Sequence, residues 1–199
     1  MTEAEWLNRD DPFPRQLAIV HQVATVRKLQ LIAAAYIRGA QASEKHADAK
    51  RCDDLVEEIA DQIRPWDAIS AELSQRPGNW RLTHVVQVPQ EPTTVAKALR
   101  SLIATSPSDI TRSVREIVGL ILEVVGNPFR PVAFSPAWRT STAVALATRT
   151  SASRDFGAMP ILADALQDAG CDSDDILNHS RGPGPHVRGC RVVDLVLGK

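Results

Sequence analysis

Aliphatic side chains at Ile110, Val114, Ile117, Val118, Ile121, Leu122 and Val125 recur every three or four residues, between a clear start and a clear stop. That spacing is the period of one helix face; a half-buried strand would alternate every two residues. Ser106-Pro107-Ser108-Asp109 supplies the start, with a serine cap, proline at the first helical position and an acid in the first turn. Gly126 supplies the stop, and Pro128 bars continuation. A helix with one apolar face must bury it against other elements, and the rest of the chain offers mostly helices.

Thr2 and Glu5 have capping-box spacing before a short first helix, which Asp10-Asp11-Pro12-Phe13-Pro14 breaks. From Arg15 to about Gly39 runs one long helical segment, apolar on more than one face as a central bundle helix is. Ser43 caps a helix carrying Cys52, Leu55, Val56, Ile59 and Ile63, and Pro65 ends it before a short Trp66–Ser74 helix. Gln75–Pro92, with Pro77, Gly78, Pro89 and Pro92, reads as a loop or one short strand near 82–88. Thr94–Thr105 reads as a helix. Ser135-Pro136 opens a helix containing Trp138, Val144 and Ala145. Pro160 opens another, with Ile161, Leu162, Leu166 and Ala169 buried and Gly170 as its stop. A short helix near Asp174–His179 precedes the turn Arg181-Gly182-Pro183-Gly184-Pro185, and His186–Leu197 is a final, helical segment.

The expectation is an all-α fold, a helical bundle of seven to nine helices. It has an N-terminal region over residues 1–106 and a C-terminal module over 107–199, packed together as one compact unit. At 199 residues the chain is long enough to bury a core without staples. Its 23 basic and 24 acidic side chains lack the basic excess of a dedicated nucleic-acid binder. Its longest apolar stretches, such as Ile117–Leu122, are far short of the roughly 20 residues that span a bilayer. The acidic start is no secretory signal, and three cysteines cannot form a disulfide framework, so reduced thiols and a cytoplasmic location are expected.

The C-terminal third carries long motifs. They are Gly126-Asn127-Pro128-Phe129-Arg130-Pro131-Val132, Pro136-Ala137-Trp138, Pro160-Ile161-Leu162-Ala163-Asp164-Ala165-Leu166, Ala169-Gly170-Cys171, His179, Arg181–Cys190, Val193-Asp194-Leu195 and Gly198-Lys199. This pattern resembles an uncharacterised module expanded as many paralogues in planctomycete-type bacteria, whose members often open with a Thr-Glu-x-x-Trp-Leu start like Thr2–Leu7. The resemblance covers roughly residues 117–199 and the N-terminal cue. It implies no activity, cofactor or catalytic residue. Ser180 stands where a second thiol is common in the module, which weakens a thiol metal site, and Arg191 where a tryptophan is common.

The chemistry-bearing residues gather near the C-terminus. Cys171, His179, His186 and Cys190 are the donor types of a tetrahedral zinc site, and His186 and Cys190 fall on one helical face. Their spacing matches no common zinc pattern, so burial of the two thiols as small apolar groups competes with zinc. A second candidate is an anion site of His179, Arg181, His186 and Arg188, with a helix start at His186–Arg188 offering free N–H groups. Asp164, Asp168, Asp172, Asp174 and Asp175 are the internal competitors for those arginines. Asp53-Asp54 and Glu57-Glu58 beside Arg51 read as a solvated face. Phe129 and Trp138 are expected to staple their proline-rich loops onto the bundle. Nucleophile-elbow, phosphate-loop, dinucleotide and zinc-protease motifs are lacking. The leading expectation is therefore a non-catalytic interaction or scaffold module without a cofactor. Its partner would be another protein, with self-association left open. Zinc binding and anion or nucleotide binding at the 179–190 turn are the alternatives.

Overall fold

Local capping chemistry sets most helix boundaries. The computed structural model describes residues 1–8, 15–41, 47–64, 68–69, 71–72, 91–104 and 110–199, and those residues form an all-α fold. Ten α-helices lie among them: α1 (Glu3–Leu7), α2 (Arg15–Val23), α3 (Val26–Gln41), α4 (Ala47–Ala60), α5 (Pro92–Ala104), α6 (Ile110–Val124), α7 (Ser141–Ser153), α8 (Met159–Asp168), α9 (Asp174–Arg181) and α10 (Arg191–Leu197). Single 3₁₀ turns span Pro136–Trp138 and Phe156–Ala158. The strand expected near 82–88, the Ser43 cap and the Ser106-Pro107 start lie outside the described residues.

The chain divides into two compact units, Met1–Leu122 and Glu123–Lys199. The division falls near the end of α6, and the boundary suggested by the sequence was 106/107.

In the first unit, α3 packs against α4 and α5, and α2 against α5. The single long helix expected from Arg15 to Gly39 is two helices. Thr25 interrupts it, its hydroxyl accepting the Lys28 N–H as a cap does. The capping box at Thr2 and Glu5 forms as the spacing predicts. The buried Gln16 amide donates to the carbonyls of Trp6 and Asn8, 2.9 Å each, satisfying the end of α1. Arg27 with Asp61 (2.8 Å) and Arg38 with Glu57 (2.9 Å) join α3 to the α4 segment in antiparallel register. Glu57, expected on a solvated face, is only 2% exposed. A buried carboxylate needs a partner, and Arg38 is that partner.

The second unit is built on α7 to α10. Ala143, Ala147, Met159, Leu162, Leu166, Ile176, Leu177, Val192, Val193 and Val196 form its core, with Phe134, Trp138 and Phe156 against it. Small alanines on α7 let α8 and α10 approach closely. Trp138 lies in the 3₁₀ turn capped by Ser135, and α7 starts only at Ser141, capped by Thr140. The Thr140 hydroxyl accepts the Ala143 N–H at 3.2 Å. Thr140→Ala is expected to cost about 1 kcal/mol in urea unfolding, the usual loss for an N-cap. Trp138 meets Phe134 edge-on (5.3 Å between centroids) and staples its loop as expected. Phe129 does not; it is 43% exposed, on a turn where the Asn127 side chain accepts the Phe129 N–H. Arg139 reaches the last turn of α10, donating to the Leu195 carbonyl at 2.9 Å, a favourable place for a cation.

Candidate functional site

Four side chains from four local structures converge in the Glu123–Lys199 unit. Glu123 is on the last turn of α6 and His179 on the last turn of α9. His186 follows the glycine-proline turn, and Cys190 is the N-cap of α10. Their donor atoms all lie within 4.8 Å of one another. His179 Nε2 is 3.2 Å from Cys190 Sγ and 3.3 Å from Glu123 Oε2, and His186 Nδ1 is 3.1 Å from Glu123 Oε1. The two imidazoles stand edge to face, 5.1 Å apart.

Local chemistry explains each placement. Asp174 and Asp175 occupy the first turn of α9, where the helix dipole favours acids, and His179 falls in its last turn, where it favours a cation. Gly182 N–H bonds the Asn178 and His179 carbonyls and closes that helix. The Cys190 N–H bonds the Val187 carbonyl, and the Cys190 carbonyl accepts the Asp194 N–H of α10. The thiol is thus fixed by backbone on both sides.

The cluster is largely dry. The Glu123 side chain is 4% exposed and Cys190 is fully buried. Burial alone would push the Glu123 carboxyl up, but hydrogen bonds and charge from His179 and His186 outweigh it and lower it to about 2. His186 is raised by its hydrogen bond to Glu123, against the opposing effect of burial. Burial pushes the Cys190 thiol well up, and the Glu123 charge adds to this. A fully buried thiol that holds its proton is a poor nucleophile despite the neighbouring imidazole. The same group becomes a thiolate when a cation binds beside it.

The sequence candidates are sorted by this geometry. His179, His186 and Cys190 come together. Cys171 lies in the apolar core and is not among the four, its place in the set being taken by Glu123. Ser180 is buried, its hydroxyl donating to the Ile176 carbonyl. The helix start pictured at His186–Arg188 is not present: α10 begins at Arg191, because Cys190 with its extended ψ is the cap. Arg181 donates to Asp164 (2.7 Å) and Gln167 (2.6 Å), pinning α9 to α8. Asp164 was one of the expected internal competitors. Arg188 is half-buried and also has a partner. His186 faces a carboxylate on one side and the Gly182 carbonyl on the other, surroundings that repel an anion.

Sequence reasoning missed Glu123 because an acid beside Leu122 in a helix reads as the polar face. The available signal was that its i−3 and i−4 neighbours, Leu120 and Gly119, are uncharged, and both are buried here.

No protein-family model matches the chain, and no curated protein or solved structure shows significant similarity to it. No helix among the described residues is long and apolar enough to cross a membrane.

Proposed function

We propose that this is a metal-binding protein in which one zinc ion, held by Glu123, His179, His186 and Cys190, staples the Glu123–Lys199 unit. The convergence of a carboxylate, two imidazoles and a thiol in one buried cluster carries the reading. Zinc bonds of roughly 2.0–2.1 Å to nitrogen and oxygen imply tetrahedral edges of about 3.3 Å. The two imidazole separations from the Glu123 oxygens, 3.1 and 3.3 Å, are close to that edge, and the 3.2 Å from His179 Nε2 to Cys190 Sγ is shorter than the roughly 3.6 Å edge set by a zinc–sulfur bond of about 2.3 Å. Charge supports it too. A carboxylate and a thiolate carry two negative charges, which one divalent ion compensates, and buried charges are tolerated only when they are paired. Thiolate and imidazole donors favour zinc over magnesium or calcium.

Four protein donors fill a tetrahedral shell and leave no open position for substrate, which is the pattern of a structural site. The role that follows is a non-catalytic helical module, in line with an interaction or scaffold protein. A reduced thiol ligand suits a reducing compartment such as the cytoplasm. Residues 117–199, which carry the resemblance to the planctomycete paralogues, include all four donors.

The test is metal content by elemental analysis and native mass on untagged protein purified without chelator. One zinc per chain is expected in the wild type and in Cys171→Ala, and none in His186→Ala or Cys190→Ala. Wild-type protein that carries no metal, and whose melting temperature does not respond to added zinc, would overturn the proposal.

A further inference from the structure

The Arg181–Pro185 turn makes direct contacts with the site. His186 Nε2 lies 3.2 Å from the Gly182 carbonyl. A carbonyl only accepts, so Nε2 carries a hydrogen and donates it. In the neutral ring, Nδ1 then presents a lone pair, and Nδ1 faces Glu123 Oε1 at 3.1 Å. Two acceptors at that distance repel unless the Nδ1 proton of the charged ring, or a metal ion in its place, lies between them. The Gly182 carbonyl therefore selects the nitrogen offered to the metal.

Its position is itself fixed. Gly182 N–H bonds the Asn178 carbonyl at 2.9 Å and the His179 carbonyl at 3.3 Å, so the turn hangs from the helical turn that bears His179. A Cβ at Gly182 would sit 3.2 Å from the Asn178 oxygen. Gly184 has φ +87°, a conformation that side chains rarely adopt, and a Cβ there would come within 2.6 Å of the His186 backbone nitrogen and 3.4 Å of the Cδ2 of its ring. Both glycines thus sit tight against the residues that supply imidazoles.

Building on the zinc reading, we infer that the Gly182–His186 turn is the orienting element of the site: the Gly182 carbonyl holds His186 so that it binds through Nδ1, and Gly184 is a positioning residue. His179, whose Nε2 faces both the thiol and the carboxylate, binds through Nε2, so the two histidines use different nitrogens.

The experiment is a long-range ¹H–¹⁵N spectrum of the full chain with ¹⁵N-labelled histidine, before and after one equivalent of zinc, beside zinc affinities of wild type and Gly184→Ala. Zinc should move Nδ1 of His186 and Nε2 of His179 to metal-bound shifts, leaving Nε2 of His186 protonated. Gly184→Ala should bind zinc 10- to 100-fold more weakly, the usual loss when a ligand's orienting contacts are disturbed. If His186 binds through Nε2, or Gly184→Ala keeps wild-type affinity, this inference falls while the zinc reading stands. If no histidine resonance responds to zinc, both fall. Should Gly184→Ala not fold, the wild-type nitrogen assignment decides alone.

Discussion

Removing the proposed zinc from the intact chain should lower the melting temperature of the Glu123–Lys199 unit by about 15–30 °C. An ion present at a thousand times its dissociation constant contributes about 4 kcal/mol. A domain of this size shifts by roughly 4–8 °C per kcal/mol. The dependence is large because the unit is small and three of its core positions are alanines, Ala143, Ala147 and Ala163. Domains of this length usually need a staple. The ion would also tie residue 123 to residue 190, closing a long loop, where a clip has most entropy to remove. Hydrogen exchange with and without chelator is the measurement. Amides of α7 to α10 should lose protection on chelation, whereas those of α3 should not change. Equal protection in α7 to α10 with and without chelator would show that the cluster is no staple.

Two adjacent residues on α8 are expected to behave oppositely on truncation. Leu162 is fully buried in the core of the second unit, and Ile161 is 58% exposed. Leu162→Ala should cost about 3 kcal/mol, from lost transfer energy and the cavity left behind. Ile161→Ala should stay within about 0.5 kcal/mol, as surface changes do. Chemical denaturation of both variants, followed by exchange at α8, tests the pair. A large loss in Ile161→Ala would mean that this face is covered in solution. A small loss in Leu162→Ala would mean that the core repacks around the gap.

This pair also marks a limit of pattern reading. Both residues were expected on the buried side, because adjacent aliphatics give no cue to which one faces inward. A helix turns 100° per residue, so only one can sit at the centre of a stripe made by Met159, Leu162, Ala163 and Leu166. The partner helices chose that stripe. Glu57 was misread for a related reason. Its run of acids resembles a solvated face, and the approach of Arg38 on α3 makes one of them tolerable inside. Trp138 and Phe129 looked equivalent as loop aromatics. Phe134 and the α7–α8 core cover the first and leave the second exposed.

Helix class, the capping box at Thr2 and Glu5 and the stops at Gly126 and Gly170 were determined by sequence alone. They rest on hydrogen bonds and steric limits that act within four residues along the chain. The histidines and Cys190 could be named for the same reason, as chemistry gathered in one short stretch. Glu123 could not. It meets His186 across 63 positions of sequence, and no periodicity or spacing reports such a meeting. The packing of α7 to α10 and the backbone-anchored turn at Gly182 decide it, because distant donors share one point only when the core between them has fixed their directions.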